Sequence, residues 1–182
     1  MSCSFDNFNF SDIFINEKRT KVLGLIKSYI SQKDLPEKGL YIHGRYGCGK
    51  TYLLAYLAKE LAYRGHKVLF AYYPDLVRTL KSSISTGNLE DVVDRLKEVE
   101  ILMLDDFGGE MLTSFIRDEV LGSILQDRML NKRLTFISSN LDENLLFEHL
   151  KDTGREIDEL RPSRINERIK TLMTFVQLDD EN

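Results

Sequence analysis

The sequence is poor in the features that mark several specialised protein classes. It has two cysteines, Cys3 and Cys48, and no tryptophan. Two cysteines form neither a disulfide framework nor the ligand spacing of a zinc site, so we expect a reducing environment. No apolar run approaches the roughly 20 residues of a membrane-spanning helix, and the first ten residues lack the basic and apolar regions of a secretory signal. We therefore predict a cytoplasmic protein that does not contact membranes.

An excess of positive charge is also missing. The 25 Lys and Arg residues are outnumbered by 29 Asp and Glu residues, which gives a formal net charge of −4. Proteins that bind nucleic acid mainly through non-specific phosphate contacts are usually basic. Any contact with nucleic acid is therefore expected to use a local patch or to be shared across an assembly. The length of 182 residues suits a single globular domain.

What the sequence does contain is a regular alternation of strand and helix patterns. The predicted strands are 40–44, 67–73, 101–104, 134–140 and 172–178, and the predicted helices are 17–31, 50–64, 74–84, 88–99, 114–131, 143–150 and 162–170. Strands that alternate with helices favour an α/β fold in which a mainly parallel sheet is covered by helices on both faces.

One segment carries a phosphate-binding pattern. Residues 43–51, HGRYGCGKT, satisfy G-x-x-x-x-G-K-[ST] between a predicted strand and a leucine-rich helix. Glycines let the backbone amides turn inward around a phosphate, and the helix N-terminus adds positive potential. We expect Lys50 to reach the β- and γ-phosphates and the Thr51 hydroxyl to bind Mg²⁺. The predicted nucleotide-binding residues are Gly44, Arg45, Tyr46, Gly47, Cys48, Gly49, Lys50, Thr51 and Tyr52.

Polar side chains follow two other predicted strands. Asp105 and Asp106 come directly after ILML, and Asn140 ends LTFISSN. The carboxyl ends of parallel strands meet at one edge of a sheet, where ligands bind. We expect Asp105 to hold Mg²⁺ through water, Asp106 to orient or activate the attacking water, and Asn140 to help place it. Without the glycine-rich segment, the same residues would be interpreted as turn or cap residues.

These motifs together resemble those of the AAA+ ATPases, and more narrowly those of the bacterial replicative-helicase loaders of the DnaI/DnaC type. The narrower resemblance rests on LDDFGGE, RDEVLGSILQDRM, TFISSNL and RINERIK, in this order, within a match from about Phe5 to Leu178. It implies a P-loop NTPase with the AAA+ αβα sandwich and little or no helical lid. It also implies ATP or ADP with Mg²⁺ as ligands, a hexameric replicative DNA helicase and single-stranded DNA as partners, and self-association through the ATP site.

The resemblance also implies a role for each motif. Residues 44–51 would be the Walker A loop, Asp105 and Asp106 the Walker B pair, and Asn140 the sensor 1 residue. Arg168, in NERIK, matches the arginine finger that such proteins insert into a neighbour's ATP site, a task suited to a permanently charged guanidinium. Arg164, one helical turn earlier, is the alternative finger, and an exposed arginine paired with Asp or Glu is the structural alternative.

The sequence departs from the AAA+ pattern in two places. Relatives commonly carry glutamate where this sequence has Asp106, and they carry an arginine near the C-terminus that this sequence lacks. The shorter acidic side chain predicts slow, switch-like hydrolysis. Residues 1–38 are predicted to be an N-terminal arm and helix packed on an ATPase core of residues 39–182, and a separate helicase-binding domain is expected to be absent.

Two basic clusters receive different predictions. Arg78 and Lys81 are candidate contacts for single-stranded DNA, with Tyr72 and Tyr73 nearby for base stacking. The alternative there is a solvated helix face beside two core tyrosines. Residues 128, 132 and 133 (Arg, Lys, Arg) are interpreted as a solvated helix C-terminus, where positive charge is favourable.

The predicted function is that of an ATP-hydrolysing loader of a replicative helicase during the initiation of DNA replication. Three alternatives stay open at this point. A transposition helper ATPase shares the same core and differs in its partner. A P-loop kinase of small molecules would use the same loop for phosphoryl transfer, and a nucleotide-binding adaptor would bind ATP without hydrolysing it.

Overall fold

The computed structural model describes residues 17–152 and 160–179. Within these ranges five strands form one sheet in the order β2-β3-β4-β1-β5, and every pairing is parallel. The strands are β1 (Gly39–His43), β2 (Val68–Tyr72), β3 (Ile101–Phe107), β4 (Leu134–Ser139) and β5 (Met173–Gln177). The helices are α1 (Glu17–Ser31), α2 (Lys50–Tyr63), α3 (Tyr73–Thr86), α4 (Leu89–Glu98), a π-helix (Ile116–Leu121), α5 (Gly122–Leu130), α6 (Glu143–Lys151) and α7 (Leu160–Leu172).

Helices cover both faces of the sheet, which confirms the predicted αβα sandwich. Successive residues of a strand point to opposite faces, and β3 shows the consequence. Ile101 and Met103 pack with α1 and α2, whereas Leu102 and Leu104 pack with the helices of the other face. Because both faces are buried, β3 is apolar at every position before Asp105.

The long helix predicted for residues 114–131 is wrong in one respect, because it is interrupted. Ser114 and Phe115 are α-helical, the π-helix follows them, and the segment continues as α5. In the wider turn Arg117 is buried, and its guanidinium binds the carboxylate of the next residue, Asp118, at 2.6 and 2.8 Å. A π-turn adds a single residue to the helix, and the apolar spacing of this segment did not reveal it.

The interpretation of the basic residues after α5 as a solvated helix end is wrong for Arg128. This residue is fully buried, and its guanidinium donates to the carbonyls of Leu96, Val99 and Leu134 and to the Thr135 hydroxyl. Tyr73 is likewise a core residue at the start of α3, not a stacking platform.

Residues 1–16, which include the predicted N-terminal arm, lie outside the described residues. α1 packs on α2 and the sheet through Val22, Ile26 and Tyr29. No helix in the described ranges combines the length and apolar character needed to cross a membrane.

Candidate functional site

The glycine-rich loop connects β1 to α2 and has a backbone that its glycines permit. Gly49 has a φ of 97° directly before α2, a conformation that other residues rarely adopt. Gly44 lies so close to Asp179 that an added Cβ would be 2.4 Å from Asp179 Oδ1. The two outer glycines of the pattern are therefore required by backbone conformation and by close approach.

Lys50 connects this loop to the end of β4. The residue is buried, and its Nζ donates to the carbonyls of Gly44 and Arg45, each at 2.8 Å. It also donates to Asn140 Oδ1 at 2.7 Å. An ammonium group has three donors, and these three acceptors hold it at the base of the loop.

A β-bulge at the end of β3 presents the two acidic residues. β3 and β4 pair Leu104 with Ile137 and then Phe107 with Ser139. Asp105 and Asp106 therefore lie opposite one residue, Ser138, as in a bulge, and Asp106 has a φ of 59°.

The Ser138 hydroxyl holds both acidic residues. Its Oγ donates to Asp105 Oδ1 at 2.5 Å and accepts from the Asp106 N–H at 3.0 Å. We did not predict a role for Ser138, although a hydroxyl residue in a strand that is buried at every position is a signal. A buried hydroxyl needs a hydrogen-bond partner, and here the partners are the two acidic residues.

The two carboxylates differ in environment. Asp105 is buried, and this burial raises its pKa, although hydrogen bonds from Ser138 and Thr51 act in the opposite direction. Asp106 is only partly buried, and its Oδ2 accepts from the Tyr72 hydroxyl at 3.1 Å. Asn140 Nδ2 lies 3.5 Å from Asp106 Oδ1. Asn140 thus contacts Lys50 through its oxygen and faces Asp106 through its nitrogen.

These side chains line one open cleft with a volume of about 1000 Å³. The lining combines the Lys50 ammonium, the two carboxylates, polar side chains and exposed tyrosines. Its residues are Tyr46, Gly47, Gly49, Lys50, Thr51, Tyr52, Ala55, Tyr72, Asp75, Asp105, Asp106, Ser138 and Asn140. Of the predicted nucleotide-binding set, Gly44, Arg45 and Cys48 are not part of this lining.

The oxygen ligands beside the cleft fit Mg²⁺. The Thr51 hydroxyl is hydrogen-bonded to the Asp105 carboxylate, so that two hard oxygen ligands are adjacent. In the part of the chain that the structure describes, no group of three or more His, Cys, Asp or Glu side chains could hold a metal ion alone. Mg²⁺ is typically held by one or two carboxylates together with substrate phosphates, which suits this arrangement.

Arg168 lies elsewhere, in a smaller pocket of about 170 Å³ lined by Asp118, Arg161, Arg164, Ile165 and Arg168. This pocket shares no lining residue with the cleft. Arg168 Nη1 donates to the Gly122 carbonyl at 2.8 Å. Partial burial and the neighbouring Arg164 lower the pKa of Arg168.

The predicted DNA contacts lie on the exposed surface of α3. Arg78 forms an ion pair with Asp75, a residue of the cleft lining. Lys81 Nζ donates to the Met111 carbonyl at 3.2 Å. Tyr72, proposed with them as a stacking residue, is about half exposed but uses its hydroxyl to bind Asp106.

Comparison with known proteins identifies the family. Residues 4–154 match the family described as IstB-like ATP binding protein. The chain belongs to this family. The chain is also 42% identical over 146 residues to the replicative helicase loader DnaI of Bacillus subtilis (strain 168). The match covers 80% of this chain and 47% of that protein. The chain therefore spans about half the length of this curated relative.

Solved structures give the same result. The crystal structure of DnaI matches with a TM-score of 0.81 and 38% identity, over 93% of this chain and 89% of that one. The crystal structure of the DnaC helicase loader matches with a TM-score of 0.72 and 23% identity, over 91% and 92%. The resemblance to AAA+ proteins of the helicase-loader type and the predicted P-loop NTPase fold are confirmed.

Proposed function

We propose that this chain is an ATP-hydrolysing loader that delivers a hexameric replicative DNA helicase onto single-stranded DNA. The observation that carries the proposal is the convergence of Lys50, Asp105, Asp106 and Asn140 on one cleft. The identity shared with the B. subtilis loader favours helicase loading over a transposition helper or a small-molecule kinase. A non-hydrolysing adaptor would not need the Asp106 carboxylate next to the Asn140 amide, since neither group is required to bind the phosphates.

The proposed ATPase core is residues 39–182, and residues 1–38 are the proposed arm and helix that precede it. The packing of α1 on α2 through Val22 and Ile26 supports this division. In the core, Lys50 would exchange the Arg45 carbonyl for a phosphate oxygen and keep its bonds to Gly44 and Asn140, and Thr51 and Asp105 would hold Mg²⁺. Mg²⁺, when bound, neutralises charge on the phosphates.

Asp106 and Asn140 are the residues proposed to place the attacking water. Asp106 would accept the proton of this water, and Asn140 would orient the water. The Asn140 oxygen also binds Lys50, which holds the ammonium group next to these two residues. The Tyr72 hydroxyl donates a hydrogen bond to the Asp106 carboxylate. This bond makes the carboxylate less available to act as a base. Slow, switch-like hydrolysis follows from this contact and from the short aspartate side chain.

Arg168 is proposed to act on the cleft of a neighbouring copy. Its pocket shares no residue with the cleft of its own chain, so one copy would supply the cleft and the next copy the guanidinium. An interface between two different surfaces is heterologous and generates rings or spirals. Such an assembly is suited to a hexameric partner.

Steady-state hydrolysis tests this arrangement. We expect Arg168→Ala to bind ATP normally and to lose on the order of 10³-fold in hydrolysis, as arginine fingers do. Arg95→Ala, an exposed arginine on α4, is the matched control, and Arg164→Ala tests the alternative finger. Mixing Arg168→Ala with Asp106→Asn should restore about a quarter of the activity, because random heterologous contacts pair an intact cleft with an intact finger at that frequency.

Loading itself is tested with the replicative helicase of the same organism on circular single-stranded DNA. A closed circle offers no end, so a ring helicase can bind it topologically only if the ring is opened. We expect ATP-dependent loading by the full protein, reduced by charge reversal of the proposed DNA contacts Arg78 and Lys81. Loading that is independent of this chain or of ATP would contradict the proposal, and unchanged DNA binding after charge reversal would exclude these two residues.

A further inference from the structure

Asp179 lies outside every motif in the sequence, yet it reaches the first peptide of the glycine-rich loop. β5 runs parallel to β1 with Gln177 opposite His43. The Leu178 N–H extends this ladder by donating to the His43 carbonyl at 2.8 Å. The two neighbouring strands therefore leave the sheet side by side, and Asp179 comes to lie beside Gly44.

The Asp179 carboxylate binds the loop backbone directly. Its Oδ2 accepts from the Arg45 N–H at 3.0 Å and from Arg45 Nε at 2.7 Å, and the residue is 6% exposed. The Arg45 side chain is 67% exposed, and exposed ion pairs stabilise little. The shielded hydrogen bond to the backbone N–H is therefore the more important contact.

The space for this contact exists only because residue 44 is glycine. A Cβ there would approach Asp179 Oδ1 to 2.4 Å. Burial opposes ionisation of Asp179, but hydrogen bonds and charge from Arg45 outweigh it and lower the pKa of the carboxyl. Asp179 is therefore an ionised acceptor at neutral pH.

One peptide unit connects Asp179 to Lys50. The N–H that Asp179 binds and the Gly44 carbonyl belong to the same peptide, and a trans peptide is planar with these two groups pointing in opposite directions. No peptide in the described ranges is cis. The Gly44 carbonyl accepts from Lys50 Nζ at 2.8 Å. Fixing the N–H therefore fixes the direction of a carbonyl that places the ammonium group.

We infer that Asp179 is a positioning residue for nucleotide binding, which acts through the Gly44–Arg45 peptide to orient the loop and the Lys50 ammonium toward the phosphates. The inference rests on the nucleotide site of the proposed function and adds to it a residue that follows the last strand. Arg19 holds the other end of the loop, since its Nη2 donates to the Cys48 carbonyl at 2.6 Å.

Titration with fluorescent ATP and ADP analogues tests the inference. Asp179→Ala should raise the Kd for both nucleotides by about tenfold, the effect of losing a hydrogen bond to a charged group. Both should weaken, because both carry the β-phosphate that the loop and Lys50 contact. Asp179→Asn keeps an oxygen acceptor for the Arg45 N–H and should recover most of the lost affinity.

Asp142→Ala is the matched control. Asp142 Oδ1 also accepts two backbone N–H groups, those of Asn144 and Leu145 at 2.9 Å, but it caps α6. This variant should lower Tm through the lost cap while the Kd stays at the wild-type value. A purely structural role for Asp179 would make its alanine variant behave in the same way.

The outcomes separate this inference from the proposed function. Folded Asp179→Ala with wild-type affinity would overturn the inference, whereas failure of the wild-type protein to bind either nucleotide would overturn the site itself. Should Asp179→Ala fail to fold, Asp179→Glu replaces it. Glutamate keeps the negative charge but moves the carboxylate, so the Asp179→Glu protein should bind nucleotide more weakly than the Asp179→Asn protein. The reverse order of affinities would contradict a positioning role.

Discussion

Asp105 combines two requirements that oppose each other. Burial raises its pKa, so its ionised form costs free energy in the folded protein. Protonation removes that cost as the pH falls through the raised pKa. The proposed Mg²⁺ binding needs the ionised form, so hydrolysis should decline over the same pH range. In the proposed site, the ionised carboxylate would therefore lower the stability of the folded protein while it supplies a ligand for Mg²⁺.

Replacing Asp105 with asparagine tests this trade. Asp105→Asn keeps an acceptor for the Ser138 hydroxyl and removes the buried charge. We expect hydrolysis to be lost and Tm to rise by about 2–4 °C, the shift that about 1 kcal/mol produces in a chain of this size. Asp94→Asn, at an exposed position of α4, serves as the control. A lower Tm would mean that the bonds from Ser138 and Thr51 outweigh desolvation.

At the scale of elements, Arg128 joins segments that are distant in sequence. Its guanidinium accepts no bond and donates to carbonyls at the end of α4, Leu96 and Val99, and at the start of β4, Leu134. Burial lowers its pKa to about 9, so it remains charged at neutral pH. The carbonyls at a helix C-terminus favour a cation, and here that cation also anchors β4, the strand that ends at Ser139 directly before Asn140.

Substitution of Arg128 should therefore destabilise the whole domain. Arg128→Met should cost about 3–5 kcal/mol, because several buried carbonyls lose their cationic donor. Arg128→Lys should recover only part of this loss, since an ammonium lacks the planar five-donor fork. Urea unfolding measures both, with Lys132→Ala, at a largely exposed side chain, as the control. A change below 1 kcal/mol in Arg128→Met would contradict the structural role.

At the scale of the whole molecule, nucleotide binding joins parts of the chain that are far apart. The cleft draws on the loop after β1 and on the ends of β2, β3 and β4. A ligand that binds the folded state but not the unfolded state stabilises all of these segments together. At 100 times its Kd, ATP should stabilise the protein by about 2.7 kcal/mol and raise Tm by about 5–10 °C.

Thermal shift measurements with Mg²⁺ and ATP check this expectation. Lys50→Ala should lose most of the shift, because its ammonium is the buried cation at the base of the loop. Lys33→Ala, at an exposed position after α1, should retain it. An equal shift in both variants would place the nucleotide elsewhere.

The sequence predicted those parts of the site that depend on neighbouring residues. The glycine-rich loop, the strand before it and the acidic pair after ILML follow from local spacing, and all were found together. The role of Ser138 was not predicted, because it depends on a bulge that places one β4 residue opposite two β3 residues. Asp179 was missed for a similar reason, since its partner Arg45 lies 134 positions away.

The fold class, the order of the elements and the phosphate-binding pattern can be predicted from the sequence, because the periods of strands and helices and the conformations of glycine are local properties. The side chains that support that pattern can be identified only in the folded chain. The tertiary structure placed Arg128 in the core and Asp179 behind the loop, and it separated Arg168 from the cleft. These outcomes depend on strand register and helix packing, which bring together residues that no short stretch of sequence contains.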